Sequence, residues 1–485
     1  MSFHISNSRP QPDQVLVEIA NFVVNYRVHS NLAYEAARYC LMDSLGCGLE
    51  ALSYPACKKL LGPVVAGTVV PNGARVPGTS FQLDPVQAAF NIGTMIRWLD
   101  FNDTWLAAEW GHPSDNIGGI LATADWVTRN ARASGKKIPT MYDVLTAMIK
   151  AHEIQGCLAL ENSFNQVGLD HVVLVKVASV AVVTHLMGGK HAQIIDALSQ
   201  VWVDGQALRT YRHAPNTGTR KSWAAGDATS RAVWLALLTL KGEMGYPSAL
   251  SAKTWGFYDV LFKSRPFHFQ RPIAQWNSYV MENILFKISF PAEFHAQTAV
   301  ECAMQLHSLV KDRITDIQRI TIRTHEAAIR IIDKQGTLNN PADRDHCMQY
   351  MVAVALIFGR LTATDYEDSV AADTRIDPLR EKILCVEDKQ FTKDYHDSDK
   401  RAIANGVHVV FKDDTELEEV VVAYPVGHKK RRHEGIPLLQ KKFTTNLTRC
   451  FPENQQQAIL NLFLDQQQLE STAVDKFVEL FAAPH

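Results

Sequence analysis

Apolar residues recur every three or four positions over much of this 485-residue chain, which is the spacing of an amphipathic α-helix. Two series show this spacing most clearly: Ala37, Leu41, Leu45, Leu49 and Leu52, and then Ala225, Ala228, Ala232, Leu235 and Leu238. The same periodicity predicts helices near residues 141–160, 171–187 and 191–203. Segment 56–81 is rich in Gly, Pro and Val, which predicts a long loop with short extended pieces.

The pattern changes after about residue 286. Residues 319–324 alternate apolar and polar side chains, as a half-buried strand does. Segments 407–411 and 417–424 flank a turn signal and predict a hairpin, and helical periodicity returns from Ile436 onward. The middle of the chain therefore predicts a unit of mixed α and β structure between two helical parts.

These patterns predict a mainly α fold with an inserted smaller α+β domain. We expect residues 1–284 to form the first part of a large all-helical domain, 285–428 the inserted domain, and 429–485 C-terminal helices that return to the helical domain. Both chain ends thus build the helical domain. We expect the functional site in the cleft between the two domains, since ligand sites commonly lie at domain interfaces.

Composition excludes several classes of partner. Lys and Arg total 49 against 51 Asp and Glu, so the chain lacks the basic excess that nucleic-acid binding requires, and we predict no nucleic-acid partner. The longest apolar stretch, 172–183, is too short to span a bilayer and contains Lys176, so we predict no membrane partner.

The eight cysteines are scattered without a C-x-x-C pair. In a chain of this length the pattern favours reduced, buried thiols and a cytoplasmic location. It also disfavours zinc and iron–sulfur ligation, so we expect neither a metal nor another cofactor.

Segment 98–116 is the most informative part of the sequence. It places six polar or ionisable side chains among four aromatic ones, between two apolar helical segments: Asp100, Asn102, Asp103, Thr104, Glu109 and His112. Aromatic rings exclude water, and neighbouring carboxylates and imidazoles shift one another's pKa, so the segment favours an active site. The alternative is a solvated turn before a helix that begins near Ile117, with Ser114 or Asp115 as its N-cap.

Basic residues and further histidines mark other candidate positions. Arg220 and Lys221 precede Ser222, which the sequence predicts as a helix N-cap. Two cations and the free N–H groups of a helix N-terminus would then lie together and could bind a carboxylate. The alternative is that these basic residues are simply exposed to solvent. Arg212 lies just upstream. His171 begins a helix, while Lys287 and His295 flank Pro291 at the predicted domain junction, and each histidine could instead be structural.

Five segments carry a resemblance to a known family: Asp100-Phe-Asn-Asp-Thr104 with His112-Pro-Ser114, Gly168-Leu-Asp-His171, Lys221-Ser-Trp-Ala-Ala-Gly226-Asp227, Lys287 to His295, and Asn340-Pro-Ala-Asp-Arg-Asp-His346. Through them the chain resembles the MmgE/PrpD family over nearly its whole length. The resemblance implies the two-domain architecture above, in which the inserted α+β domain at 285–428 is a lid domain. It also implies a homodimer and a metal-independent lyase. It places Asp100, Thr104, His112, His171 and Lys221 at pocket positions.

The run Ala107-Ala-Glu-Trp-Gly-His-Pro-Ser-Asp115 resembles the dehydratase branch of that family in particular. That branch implies a hydro-lyase that removes water from 2-methylcitrate, a small tricarboxylate, to give 2-methylaconitate in the methylcitrate cycle of propionate catabolism. Alternatives within the family are a citrate or aconitate (de)hydratase and a cis-aconitate decarboxylase. A protein of a different functional class, a non-enzymatic helical scaffold, is a further interpretation of the sequence. The absence of a repeat period, and the grouping of His, Asp and Lys at helix starts, disfavour it.

For such a reaction we predict His112 as the base, kept neutral by a following helix N-terminus. Asp100 is predicted to orient His112 or another nearby histidine. His171 is the predicted acid for the leaving hydroxyl, although the two histidines could exchange roles. The substrate-binding candidates are Thr104, Lys221, Lys287, His295 and Arg212.

Overall fold

Helices make up most of the structure, a computed structural model that describes residues 7–213 and 215–483. The first part of the chain contains α1 (Gln14–Asn25), α2 (Asn31–Ala51), α3 (Pro55–Lys58), α4 (Pro85–Arg97), α5 (Ile117–Ser134), α6 (Met141–Glu161), α7 (Val172–Leu186), α8 (His191–Val203), α9 (Arg220–Leu240), α10 (Phe257–Leu261) and α11 (Tyr279–Asn283). Two short antiparallel pairs interrupt them: β1 (Ala74–Arg75) with β2 (Gln82–Leu83), and β3 (Trp105–Leu106) with β4 (Trp110–Gly111).

The second part of the chain contains α12 (Gln297–Val310), β5 (Ile317–Thr324), α13 (Glu326–Ile332), α14 (Pro341–Arg344), α15 (Met348–Phe358), α16 (Asp368–Ala371), α17 (Ile376–Arg380), β6 (Ile383–Glu387), α18 (Lys389–His396), β7 (Asn405–Phe411), β8 (Val420–Val422), α19 (Arg432–Leu447), α20 (Glu453–Leu464), α21 (Gln466–Ser471) and α22 (Val474–Glu479). The sheet order is β6-β5-β7-β8, in which β6 runs parallel to β5 and the other pairs are antiparallel.

The mainly α prediction is confirmed. The two apolar series correspond to α2 and α9, and the three other predicted helices correspond to α6, α7 and α8. The predicted strand is β5 and the predicted hairpin is the β7–β8 pair. Helical structure resumes at Arg432, four residues before the predicted Ile436.

Two predicted N-caps are wrong. Helix α9 begins at Arg220, so Ser222 lies inside its first turn instead of capping it. A short 3₁₀ turn, Pro113–Asn116, leads into α5, so Ser114 and Asp115 are part of this turn and do not cap the helix. In both cases the helical structure starts two or more residues earlier than the polar signal suggests, which is an ordinary error for boundaries inferred from sequence.

The buried apolar residues form two large cores. One spans residues 16–288 and also contains Leu439, Phe443, Phe463 and Phe477 from the C-terminal helices. The other is built only from residues 290–411 and includes the sheet and helices α12 and α15. A smaller cluster that includes Leu106, Phe294 and Tyr395 lies where the two parts meet. That the α+β part moves as a lid stays a prediction.

Within the described residues, no helix combines the length and apolar character that crossing a bilayer requires.

Helices α4 and α9 approach each other closely, and together they determine where Arg97 and Lys221 lie. A Cβ on Gly226 would lie 2.7 Å from the Phe90 carbonyl oxygen and 2.5 Å from Thr94 Oγ1. A Cβ on Gly93 would lie 2.8 Å from the Gly226 Cα. The two backbones therefore leave no space for a methyl group at the crossing.

We predict that Gly226→Ala lowers the free energy of unfolding by about 1–3 kcal/mol, because the helices must separate to accommodate the methyl group. Urea denaturation of both proteins measures this loss. Gly205→Ala is the matched control, since an added Cβ there meets no described atom within 4 Å. Equal stabilities for the two variants would contradict the close approach of α4 and α9.

Candidate active site

A cavity of about 230 Å³ lies between the helical part and the α+β part. Six of the eight residues predicted from the sequence line it: Asp100, Thr104, His112, His171, Arg212 and Lys287. Segment 98–116 is buried at this place, where Asn102 and Glu109 are both 0% exposed, so the alternative of a solvated turn is wrong. The structure thus brings distant polar residues into one enclosed space.

The β3–β4 hairpin supplies one wall of the cavity. Leu106 pairs with Trp110, and Trp105 pairs with Gly111. Because side chains alternate across a strand, Thr104, Leu106, Trp110 and His112 share the face that lines the cavity, whereas Trp105 points the other way and is 1% exposed. Reciprocal backbone hydrogen bonds of 2.8 and 3.1 Å between Thr104 and Leu285 anchor the hairpin.

Hydrogen bonds determine the tautomer of His112. Its Nδ1 lies 2.6 Å from the Asp103 carbonyl oxygen, and its Nε2 lies 3.0 Å from Arg97 Nη2. A carbonyl only accepts and a guanidinium only donates, so Nδ1 carries the proton and Nε2 presents a lone pair. Burial, together with the charges of Arg97 and Lys287, holds the pKa of His112 well below its ordinary value. Burial and these cations therefore favour the neutral imidazole, and a contribution from the helix N-terminus stays a prediction.

The Asp100 carboxylate is the centre of a buried ion network. Its Oδ1 accepts hydrogen bonds from Arg97 Nη1 at 2.5 Å and from Lys287 Nζ at 2.7 Å, and its carbonyl oxygen also accepts from Lys287 at 2.7 Å. Burial alone would raise the pKa of Asp100, but Arg97, Lys287 and His112 outweigh it and hold that pKa well below its ordinary value. His112 Nε2 is 3.6 Å away. Asp100 therefore orients the two cations directly, while the Asp103 carbonyl orients His112.

Asp103 is held behind His112 by hydrogen bonds from Ser114 and by a close contact with His152. Its Oδ1 accepts from the Ser114 backbone N–H at 3.0 Å and from the Ser114 hydroxyl at 2.6 Å. Its Oδ2 lies 3.0 Å from His152 Nε2 on helix α6. This anchoring keeps the carbonyl that orients His112 in place.

His171 is the second cavity histidine, with its ring centroid 5.7 Å from that of His112. Its Nδ1 is 3.4 Å from Asp170 Oδ1, and its buried Nε2 has no hydrogen-bond partner in the described part of the chain. Burial, with Arg212 and Arg209, holds the pKa of His171 well below its ordinary value, against the opposing charge of Asp170. His171 Nε2 is therefore available to a ligand.

Arg212 is a cavity residue whose charge is already paired. Its Nε hydrogen bonds to Asp170 Oδ2, and its Nη2 lies 3.2 Å from Asp170 Oδ1. Burial alone would raise the pKa of Asp170, but Arg212, His171 and Arg209 outweigh it, so that pKa lies below its ordinary value. Arg212, which the sequence predicts as a binder of substrate carboxylates, thus orients Asp170 beside His171.

Lys221 and His295 lie one layer behind the cavity wall. Lys221 Nζ is 2.6 Å from Asp345 Oδ1 and 3.2 Å from Nδ1 of His346, which does line the cavity. His295 Nδ1 is 2.8 Å from Oε1 of the cavity residue Glu293. Lys221 is only 5% exposed, so the alternative of an exposed basic cluster is wrong for this residue.

Sequence reasoning missed four of the cations that line the cavity: Arg97, Arg209, Arg330 and Lys334. Arg209 Nε and Lys334 Nζ are buried without a hydrogen-bond partner among the described residues. The guanidiniums of Arg209 and Arg330 lie 5.5 and 5.2 Å from the Trp110 ring centroid. The only sequence signal was local: Arg209 and Arg212 are spaced i, i+3, and Arg330 and Lys334 are spaced i, i+4.

Positive charge dominates the cavity. Of the described residues that line it, six are cationic and two are carboxylates: Arg97, Arg209, Arg212, Lys287, Arg330 and Lys334 against Asp100 and Glu293. In a buried space this excess strongly favours a ligand with several negative charges.

Two groups in the described chain could offer three ligand atoms to a metal ion. They are Cys40, Asp103 and His152, and then Asp100, Asp345 and His346. In the second group Arg97, Lys287 and Lys221 already donate to the carboxylates. In the first group Asp103 accepts from the Ser114 backbone N–H, the Ser114 hydroxyl and the Cys40 thiol. The hydrogen bonds as they stand therefore satisfy these groups with protein donors.

We predict that His112 is neutral and carries its proton on Nδ1 at pH 6.5, since burial and nearby cations lower its pKa from that ordinary value. NMR of protein with ¹⁵N-labelled histidine measures both properties, and His112→Gln assigns the signals. An imidazolium pattern at that pH, or a proton on Nε2, would contradict the hydrogen-bond assignment.

Comparison with known proteins identifies the family. The MmgE/PrpD N-terminal domain matches residues 17–270, and the MmgE/PrpD C-terminal domain matches residues 290–468. The 2-methylcitrate dehydratase of Cupriavidus necator is 70% identical over 480 residues, covering 98% of this chain and 99% of the relative. That of Escherichia coli (strain K12) is 68% identical over 484 residues, covering 99% and 100%. The mitochondrial 2-methylcitrate dehydratase of Yarrowia lipolytica is 60% identical over 484 residues, covering 99% and 92%. The chain therefore belongs to the MmgE/PrpD family.

Proposed function

We propose that this chain is a hydro-lyase that removes water from 2-methylcitrate to give 2-methylaconitate. The observation that carries the proposal is the buried, cation-rich cavity in which two histidines have lowered pKa values. The choice of 2-methylcitrate as the substrate rests on full-length relatives that are named 2-methylcitrate dehydratase. The reaction breaks one C–H bond and one C–OH bond, forms a C=C bond and releases one water.

Cations without a carboxylate hydrogen bond are the first candidates to bind the substrate. Arg209 Nε and Lys334 Nζ are buried and lack hydrogen-bond partners among the described residues, so a ligand carboxylate would relieve their desolvation. Arg330 lies beside the same Trp110 ring as Arg209. In this proposal these three cations hold substrate carboxylates, and the Thr104 hydroxyl donates to the substrate.

His112 Nε2 is the proposed base. It is the unprotonated nitrogen of a neutral imidazole, and Arg97 Nη2 donates to it at 3.0 Å. A substrate carboxylate that pairs with Arg97 would draw the guanidinium away and free the lone pair for the C–H proton. Negative charge then develops on the carbon and its carboxylate, where Lys287 and Arg97 stabilise it.

His171 is the proposed acid for the departing hydroxyl. A neutral imidazole is a poor acid, so this role requires His171 to gain a proton when substrate binds. Substrate carboxylates would offset Arg209, Arg212 and Arg97, the charges that help depress its pKa, while Asp170 stays 3.4 Å from its Nδ1. The proton from His171 leaves with the hydroxyl as water, and the proton from carbon remains on His112 until product departs.

Lys221 and His295 have a supporting role in this proposal. Lys221 fixes Asp345 and the cavity residue His346, and His295 fixes Glu293. Charges that are already paired in the second layer set the positions of groups that can meet the substrate.

Several finer points stay predictions. They are activity without a metal, a place in the methylcitrate cycle, a homodimer and a cytoplasmic location.

The family alternatives, a citrate or aconitate (de)hydratase and a cis-aconitate decarboxylase, differ in what leaves the substrate. Chelator-treated protein offered 2-methylcitrate, citrate and cis-aconitate separately distinguishes them, with alkene absorbance and released carbon dioxide as readouts. Fast alkene formation from 2-methylcitrate is the expected result, and carbon dioxide from cis-aconitate would favour decarboxylation.

We predict that His112→Gln lowers kcat by about 10²–10⁴-fold, because it removes a positioned base. Its dissociation constant for 2-methylcitrate, measured by calorimetry, should stay close to that of the unmodified protein. His433→Gln, on an exposed side chain, is the control for loss of a histidine. Turnover by His112→Gln at the level of this control would remove His112 from the mechanism.

We predict that Arg209→Gln and Lys334→Gln each weaken substrate binding about 10–100-fold, the effect expected for losing a charged hydrogen bond. The exposed Lys311→Gln tests whether any lost positive charge has the same result. Affinities that match this control would place the carboxylate contacts elsewhere in the cavity.

A further inference from the structure

The face that the β3–β4 hairpin presents to the cavity has a polar end and an apolar end. At the polar end Thr104 Oγ1 lies 3.4 Å from His112 Nδ1. At the apolar end Leu106 lies directly opposite Trp110. Leu106 and Trp110 lie two positions along their strands from Thr104 and His112, so the apolar pair is next to the proposed base on the same cavity-facing side of the hairpin.

Two other apolar side chains face the same space from the α+β part of the chain. Phe294 is 1% exposed and belongs to one buried cluster with Leu106. Ile331, on helix α13, is partly buried and packs against that cluster, as does Trp110. Leu106, Phe294, Ile331 and Trp110 all line the cavity. These four residues therefore form an apolar wall in a cavity whose charged residues are mostly cationic.

The proposed substrate carries one group that such a wall fits. 2-Methylcitrate differs from citrate by a single methyl group, and in 2-methylaconitate that methyl is on the double bond. The methyl therefore sits on the carbon that loses its proton to the base. When that C–H bond points at His112 Nε2, the methyl lies one bond away from the reacting carbon, in the same cavity that the apolar side chains line.

Arg401 holds the apolar end of the hairpin in place. Its guanidinium donates to the Leu106 carbonyl oxygen and lies 4.2 Å from the centroid of the Trp105 ring. Arg401 comes from the α+β part and has a φ of 44°, a left-handed conformation that is unfavourable for a residue with a side chain. Surrounding contacts must maintain such a conformation. The position of Leu106 is thus fixed from both parts of the chain.

We propose that Leu106, Phe294 and Ile331 form a methyl-binding wall that makes the enzyme prefer 2-methylcitrate to citrate; this inference rests on the proposed function. Burying one extra methyl group in an apolar pocket discriminates by about 10–200-fold, so a modest wall is sufficient for a clear preference. The cations beside the wall would hold the carboxylate attached to the same carbon.

The test is the ratio of kcat/KM for 2-methylcitrate to kcat/KM for citrate. Ile331→Ala and Leu106→Ala should each lower this ratio by about 5–10-fold, because the methyl loses contacts that citrate never makes. Ile331→Val removes less of a partly buried side chain, should fold normally, and should lower the ratio by a smaller factor. Ile403→Ala is the matched control, since Ile403 belongs to the same buried cluster but does not line the cavity.

Each outcome decides one question. A control ratio that stays within about twofold of the unmodified protein while the wall variants fall supports the wall. Wall variants that keep the ratio, or a control that loses it equally, would overturn the wall even though 2-methylcitrate is turned over. An unmodified protein that does not convert 2-methylcitrate at all would instead overturn the proposed function.

Discussion

The buried Asp100 carboxylate and its two cations are the constraint on which the site depends. Asp100, Arg97 and Lys287 are 5%, 3% and 1% exposed, so none of their charges is effectively solvated by water. An isolated buried charge is very unfavourable, and removing one member of such a network leaves about 3–5 kcal/mol of uncompensated cost. The end of α4, the turn after it and the junction near Lys287 must therefore meet in one arrangement. The φ of 51° at Asp100 shows that these contacts override a local backbone preference.

A second set of buried polar contacts connects the C-terminal part of the chain to the backbone beside Asp100. Lys442, on the returning helix α19, donates to the carbonyl oxygens of Phe101 and Lys287 at 2.9 and 2.8 Å, and to Asp43 Oδ1 at 2.8 Å. The C-terminal helix thus fixes the backbone beside Asp100. Packing of the helical core and geometry of the site are linked through these few polar contacts.

Sequence reasoning located the centre of the site because segment 98–116 is dense in polar groups that interact locally. It could not find Arg209, Arg330 and Lys334, since single basic residues are common and only tertiary folding brings these three around the cavity. Lys221 and His295 lie near the cavity, but their side chains hydrogen bond to Asp345 and Glu293 instead of lining it. The neutral state expected for His112 matches the direction of its pKa shift, but the cause is burial, which depends on packing that the sequence does not display.

The most direct test of this account is the pH dependence of kcat/KM for 2-methylcitrate in three proteins. Below the pKa of His112 the base is protonated and activity falls, so the unmodified protein should lose activity only below pH 6.5, the ordinary value from which burial lowers that pKa. Lys287 lowers the pKa of His112 and Asp100 raises it. Lys287→Met should therefore shift the acid limb to higher pH, and Asp100→Asn should shift it to lower pH. Opposite shifts are the predicted result, whereas limbs that coincide or move together would contradict control of the base by this ion network.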